Sequence, residues 1–160
     1  MKNIEITTTA TLFNHISELS SDDKMLMNRA ILSRENAYAP YSKFSVGAAL
    51  LLENGKIILG NNQENAAYPS GMCAERIAIW RAGSEFPEVK VLKLAISAKS
   101  ATSLVDRPVG PCGACRQSLL EYEIKQKKPF EILFMGEVGG IVKVFSLNSL
   151  MPFYFDNSYL

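Results

Sequence analysis

The three cysteines constrain the fold of this 160-residue chain more than any other feature, because all of them fall in two short motifs. The first motif is residues 73–76 (Cys-Ala-Glu-Arg) and the second is residues 111–115 (Pro-Cys-Gly-Ala-Cys). Three thiolates are one too few for a closed structural zinc site. They suit a catalytic zinc site, in which three protein ligands leave the fourth position to water.

The Cys112-x-x-Cys115 pair is ambiguous when it is taken alone. It is compatible with a redox dithiol, with half of a zinc site and with two packed thiols. A thioredoxin-type pair normally follows the first strand of a βαβ unit, whereas this pair comes late in the chain. The additional Cys73 favours one zinc ion held by Cys73, Cys112 and Cys115. The single histidine, His15, lies in the N-terminal segment and is not expected to be a ligand.

Glu75 and Arg76 follow the first cysteine directly. Both cysteine motifs are expected at helix N-termini, where backbone N–H groups and the helix dipole favour thiolates. At a helix N-terminus the side chain of Glu75 can share a cleft with Cys73 and carry protons for a zinc-activated water. The alternative is that Glu75 only stabilises the helix, as an acidic residue in the first turn does. Arg76 is expected to donate to the sulfurs and reduce their negative charge. The alternative for Arg76 is an exposed residue paired with a carboxylate.

The alternation of helix and strand patterns predicts a three-layer α/β/α sandwich around a mixed five-stranded sheet. The five strands are predicted at residues 44–52, 56–60, 89–97, 130–135 and 141–145. Three helices are predicted to begin near residues 20–23 (Ser-Ser-Asp-Asp), at Ala74 and after Cys112. The Asn54-Gly55 pair favours a primed hairpin turn between the first two strands.

The first helix and the segment before it are less regular. The expected apolar face of the helix comprises Met25, Met27, Ala30, Ile31 and Leu32. Residues 2–14 alternate weakly and are rich in Thr and Ile, so an added strand is possible there. We therefore divide the chain into an N-terminal extension, residues 1–21, and one domain, residues 22–160.

Composition and charge exclude several classes of protein. A net charge of +1 creates no strong field for nucleic acid or acidic membranes. No stretch approaches the roughly 20 apolar residues that span a bilayer, and the N-terminus has no signal-peptide core. Three cysteines with metal-like spacing then favour a reducing cytoplasm over a disulfide scaffold.

Four ordered motifs resemble those of the small, homotetrameric, zinc-dependent branch of the cytidine deaminases. The two cysteine motifs are joined by residues 41–50, which resemble the first strand region, and residues 60–69, which resemble the ribose-binding segment. The resemblance covers roughly residues 22–155. It implies the cytidine deaminase-like fold and hydrolysis of cytidine and deoxycytidine to uridine and deoxyuridine plus ammonia, in pyrimidine salvage.

The same resemblance implies how the nucleoside is held. Asn62 and Glu64 match residues that hydrogen-bond the ribose, Phe44 matches an aromatic residue that packs against the base, and Ala74 joins the substrate contacts. Without the resemblance, periodicity would make Phe44 a core residue. Asn62 and Glu64 would then be polar residues at the end of an ordinary strand. Asn62 and Glu64 alternate along an extended segment, which puts both side chains on one face.

The C-terminal tail resembles a segment whose aromatic residue covers the pyrimidine of a neighbouring subunit. Phe155 falls at that position, but Phe153 and Tyr154 replace the usual small residues, so the choice among the three stays open. The implied assembly is a homotetramer, with a small nucleoside and no nucleic acid or membrane as partner. The alternatives are a deaminase of another aminopyrimidine nucleoside, such as an antibiotic, and a zinc-stapled interaction module.

Overall fold

A six-stranded mixed sheet forms the centre of the computed structural model, which describes residues 1–160. The elements in chain order are β1 (Thr11–Phe13), α1 (Ser21–Arg34), β2 (Phe44–Leu52), β3 (Ile57–Asn61), α2 (Ala74–Glu85), β4 (Val91–Ser100), α3 (Gly113–Gln126), β5 (Glu131–Met135) and β6 (Ile141–Val144). The strand order is β1-β6-β5-β4-β2-β3, with β4 and β5 parallel and all other neighbours antiparallel. None of the helices is long and apolar enough to cross a membrane.

Two apolar clusters on opposite faces of the sheet confirm the predicted three-layer sandwich. Ala48 and Leu50 of β2 belong to the cluster that includes α2 and α3. Ala49, which lies between them, belongs to the cluster that includes α1. Successive strand residues point to opposite faces, so a run that is apolar throughout is what a strand covered on both faces needs.

The prediction of five strands was one strand short. The sixth strand, β1, comes from the N-terminal extension and pairs with β6, with Thr11 opposite Lys143 and Phe13 opposite Ile141. The weak alternation in residues 2–14 indicated this possibility. Pairing of β1 satisfies backbone groups that β6 would otherwise expose as an edge strand. The boundary between extension and domain at residues 21 and 22 stays a prediction, although α1 begins there.

The hairpin between β2 and β3 is confirmed, but its turn is not of the primed type. Gly55 alone has a positive φ, of 80°, whereas a type I′ turn needs two such residues. The amide of Gly55 donates to the carbonyl of Leu52, and the amide of Leu52 donates to the carbonyl of Lys56. A three-residue loop ending in a left-handed glycine is the next most common hairpin connection.

The α1 helix begins as predicted, and its buried face is partly the predicted one: Met27 and Ala30 are fully buried and Ile31 is half-buried. The Ser20 side chain accepts a hydrogen bond from the Asp23 amide and caps the helix. Met25 and Leu32 are exposed, and Leu26 is fully buried in their place. The buried face also carries the polar residues Asp23, Ser33 and Arg34. Hydrophobicity is therefore a poor guide to the orientation of this helix.

Candidate metal centre and active site

Two helix N-termini bring the cysteines together. Cys73 is the N-cap residue of α2, Cys112 is the N-cap residue of α3, and neither side chain caps its helix. Cys115 lies in the first turn of α3 and is fully buried. The three Sγ atoms lie within 4.8 Å of one another, and all three thiols are free of disulfides.

The chemistry of this donor set fits a zinc ion. Tetrahedral zinc–sulfur bonds of about 2.3 Å hold sulfurs roughly 3.8 Å apart, so small side-chain rotations suffice. No fourth His, Cys, Asp or Glu belongs to the cluster, which leaves one coordination position to water or substrate. His15 instead accepts a hydrogen bond from the Ser17 amide at its ring Nδ1. The expected three-cysteine centre is therefore what the fold assembles.

The three thiols share their protons unequally. A hydrogen bond from Cys115, with further donation from Arg76 and Cys112, lowers the pKa of Cys73 to about 5 despite its partial burial. The same hydrogen bond to Cys73, together with burial, raises the pKa of Cys115 far above its usual value. Zinc binding requires thiolates, so it displaces the remaining protons and must weaken as the pH falls.

Glu75 lies at the entrance of α2 and is only 5% exposed. Burial raises the pKa of this carboxyl above its usual value, and the neighbouring Cys73 charge raises it further. A raised pKa makes this carboxyl a better proton acceptor than an ordinary glutamate, which is what a general base needs. The burial argues against a mere first-turn acid, which would gain nothing from losing its hydration.

Arg76 faces the metal ligands as expected. Its Nη2 lies 3.5 Å from the Sγ of Cys73, and its guanidinium lies 5.8 Å from the ring centroid of Trp80. The hydrogen bond to Cys73 raises the pKa of Arg76 above its usual value. No carboxylate lies within ion-pairing distance of Arg76. The geometry therefore favours the sulfur-facing role over a surface ion pair.

A cleft of about 390 Å³ opens beside Cys73 and Arg76. Its remaining lining comes from the two segments of the sequence that flank the site: Tyr41, Ser42, Asn62, Glu64, Asn65, Tyr68, Gly71 and Met72. Asn62 accepts a hydrogen bond from the amide of Val46 at 2.7 Å and donates to the carbonyl of Phe44 at 2.9 Å. Both contacts fix its amide group, which keeps one donor and one lone pair for a ligand.

Glu64 lies in the same cleft but remains open to solvent. The Ser42 hydroxyl, with the amides of Tyr41 and Ser42, holds the pKa of this carboxyl below its usual value. Both amides donate to Oε2, at 3.0 and 3.2 Å, so Oε1 remains available to a hydroxyl group. An ionised carboxylate with a fixed orientation suits the recognition of a sugar diol.

The structure does not bring every expected residue to this cleft. The Phe44 side chain is half-buried outside the lining, Ala74 is fully buried, and Phe155 lies in the exposed tail. Tyr41 and Tyr68, with ring centroids 6.3 Å apart, line the cleft without having been singled out. The signal for them was their position inside the motifs at residues 41–50 and 60–69.

A three-thiolate centre, a buried glutamate and a polar cleft on this fold define the class of zinc-dependent deaminases. The family model for the cytidine and deoxycytidylate deaminase zinc-binding region matches residues 20–128. The chain belongs to the cytidine deaminase family.

Individual relatives agree with this assignment. The chain is 41% identical over 131 residues to the cytidine deaminase of Halalkalibacterium halodurans, covering 82% of this chain and 92% of that protein. It is 47% identical over 102 residues to the cytidine deaminase of Sporosarcina psychrophila, covering 63% and 70%. The crystal structure of cytidine deaminase from Burkholderia pseudomallei superimposes with a TM-score of 0.69 at 34% identity, over 86% of this chain and 100% of that one.

Proposed function

We propose that this chain hydrolyses cytidine and deoxycytidine to uridine and deoxyuridine plus ammonia, as a step of cytoplasmic pyrimidine salvage. The observation that carries the proposal is the meeting of two helix entrances, which puts buried Glu75 beside three cysteine sulfurs within 4.8 Å of one another. One zinc per subunit is the cofactor that this donor set fits. When bound, zinc lowers the pKa of a water molecule at its open position.

Glu75 moves the protons of the reaction. It takes a proton from the attacking water and delivers it to ring nitrogen N3 as the new bond to C4 forms. It then takes the remaining proton from the hydroxyl now attached to C4 and passes it to the amino group, so that the C4–N bond breaks, ammonia leaves and C4 keeps a carbonyl oxygen. A raised pKa serves both halves of this cycle, because the carboxyl must accept and donate at the same pH.

The residues around the cleft are proposed to bind the nucleoside. Oε1 of Glu64 is proposed to accept a hydrogen bond from one ribose hydroxyl, and the amide of Asn62 is proposed to donate to another; the contacts that fix both side chains support this. Phe44 and Ala74 are proposed to contact the base only after a local rearrangement, because neither residue lines the cleft. Arg76 draws charge from the sulfurs through Cys73 and holds that ligand in place.

The tail is proposed to complete the site of a neighbouring subunit within a homotetramer. Tyr154 packs against its own core, whereas Phe153 is 79% and Phe155 57% exposed. Aromatic residues are enriched in the cores of protein–protein interfaces, so two exposed phenylalanines close together in the tail favour a contact with another subunit. The open choice among the three residues is thereby narrowed to Phe153 and Phe155, and we retain Phe155.

The test combines elemental analysis with an ultraviolet assay of cytidine. Purified protein should carry about one zinc per chain and release ammonia in step with uridine. Glu75→Gln should keep zinc and fold but lose roughly 10³–10⁴-fold in kcat, the upper range for a general acid–base residue. A Glu75→Gln rate within tenfold of the unchanged chain, or full activity without metal, would contradict the proposal.

A further inference from the structure

Arg116 makes two contacts that the proposed reaction does not use. Its Nε donates to the carbonyl of Pro111 at 2.8 Å, and its Nη1 donates to the carbonyl of Leu150 at 2.8 Å. Pro111 directly precedes the metal ligand Cys112, and Leu150 begins the C-terminal tail. One guanidinium therefore joins the metal loop to the tail across 39 residues of sequence.

The segment that leads from β6 into the tail runs back along α3 towards this point. Glu123, seven residues further along the helix, accepts hydrogen bonds from the Leu147 amide and the Ser146 hydroxyl. Seven helical residues correspond to about 10 Å. Beyond Leu150, the Gln117 side chain donates to the carbonyl of Phe155 at 3.0 Å. Hydrogen bonds from α3 therefore hold this segment along the helix. The last of these contacts lie near the N-terminal end of α3, which carries Cys112 and Cys115.

The kind of side chain at this position matters. Arg116 has no carboxylate partner, so its charge is balanced by no ion pair, and both acceptors are backbone carbonyls. A planar guanidinium can hold two carbonyls in fixed directions, whereas a lysine ammonium is a single point donor. A residue that served only to place a positive charge here would be replaceable by lysine.

We infer that Arg116 is a positioning residue that couples the metal loop to the substrate-covering tail. Through Pro111 it fixes the backbone that precedes Cys112, one of the residues that would hold zinc, and through Leu150 it fixes where the tail begins relative to α3. This inference rests on the proposed function only for the role of the tail. The two contacts themselves, and their effect on zinc retention, do not depend on the identity of the substrate.

The experiment compares full-length Arg116→Ala and Arg116→Lys with the matched control Ser118→Ala. Ser118 lies on the same helix, and its hydroxyl donates only to the Ala114 carbonyl one turn earlier. Both Arg116 variants should raise the KM for cytidine about tenfold, the effect of losing a hydrogen bond from a charged donor, with a smaller change in kcat per bound zinc. Both should also release zinc faster to a chromophoric chelator. Equal behaviour of Arg116→Lys and the unchanged chain would overturn the inference.

A double-mutant cycle separates positioning from general destabilisation. The tail variant Phe153→Ala/Phe155→Ala should make the KM insensitive to Arg116→Ala, because the tail then has nothing left to place. KM effects that multiply would mean that Arg116 acts independently of the tail aromatics, and the coupling would be wrong. If the unchanged chain does not deaminate cytidine, the proposed function fails, but hydrogen exchange still decides the inference. Arg116→Ala should then lower protection at residues 150–155 and accelerate zinc release, and unchanged values of both would overturn it.

Discussion

Two glutamates of the site show how environment divides one residue type into two roles. Glu75 is buried beside the sulfurs, and its pKa is raised by burial and by the Cys73 charge. Glu64 is open to solvent, and hydrogen bonds from Ser42 and neighbouring amides lower its pKa. The environment of the first carboxyl favours its protonated form, whereas that of the second favours the anion, which accepts hydrogen bonds.

Glu64→Gln should impair binding of the nucleoside but not the chemical step. The substitution replaces a charged acceptor of ribose hydroxyls, so we expect kcat/KM for cytidine to fall about tenfold. Free cytosine, which has no sugar, should be a poor substrate whose low rate hardly changes. The measurement is kcat/KM for both compounds, with the exposed turn variant Glu53→Gln as control. Equal losses for cytosine and cytidine would refute the ribose assignment.

At the scale of elements, close packing of α2 on β3 sets the position of the metal ligands. A Cβ atom at Gly60 of β3 would lie 2.3 Å from the carbonyl oxygen of Ala74 and 2.8 Å from the amide of Ala78. The first turn of α2 therefore rests directly on the strand backbone. Only glycine permits this approach, which holds Cys73 and Glu75 against the sheet.

Gly60→Ala should destabilise the fold and displace the metal site together. Overpacking typically costs about 1–3 kcal/mol, and the two nearest atoms are backbone atoms of α2, which cannot give way as a flexible side chain would. The free energy of unfolding in urea and the zinc content should both fall. The control is Gly110→Ala, because the atoms nearest to its Cβ would belong to the Phe134 ring, the first of them at an ordinary 3.5 Å. A stable variant with full zinc would show that α2 is free to shift.

A second connection between elements ties α1 to the sheet by charge. Asp23 is buried, and its carboxylate is bound by Lys93 of β4 and Lys143 of β6, both of which also contact Glu131 of β5. Burial opposes the ionised form of Asp23, but the two lysines outweigh it and leave its pKa below the usual value. Asp23 therefore stabilises the fold in its charged form.

Asp23→Asn should lower stability at neutral pH by about 1–3 kcal/mol, because it leaves the lysines without their buried partner. The folded-state pKa lies below the unfolded value of about 3.9, so the stabilisation is complete above that value and is lost as the pH falls through the folded-state pKa. Urea unfolding from pH 7 to pH 3 should show the difference shrinking with acid. Exposed Asp22→Asn, in the same helical turn, is the control. A difference that does not depend on pH would contradict this account.

At the scale of the whole molecule, the exposed aromatic residues bear on assembly. Phe155 stacks on Tyr159 with ring centroids 5.7 Å apart, and Phe153 is free of the core. Residues 1–10 are also exposed, ahead of the short strand β1. The homotetramer proposed above accounts for the aromatic tail, whereas the extension has no assigned role.

The variant Phe153→Ala/Phe155→Ala should raise the KM for cytidine and shift the oligomer towards smaller species, while zinc remains bound. Aromatic residues at the centre of an interface can each contribute about 2 kcal/mol to the free energy of association. Losing one such residue weakens the affinity between subunits by more than about tenfold. Sedimentation velocity and elemental analysis would measure this. Tyr154→Phe, which keeps packing on its own core, is the control. A fully active monomer of the unchanged chain would rule out a shared site.

Several features of this protein follow from its sequence without the tertiary structure. The sequence by itself determined the donor set, the place of Glu75 and the class of protein, because ligand number and motif spacing are local chemical facts. It also indicated the layers, since apolar runs and helix starts are local patterns.

Only the tertiary structure decided what depends on contacts distant in sequence. The sixth strand formed because β6 offered an edge, and the face of α1 was set by buried polar partners of Asp23 and Arg34, which hydrophobicity does not encode. Arg116 joined Pro111 to Leu150 because folding placed both carbonyl acceptors within reach of its guanidinium. Side-chain direction follows from the neighbours that the fold supplies, and the linear sequence does not reveal those neighbours.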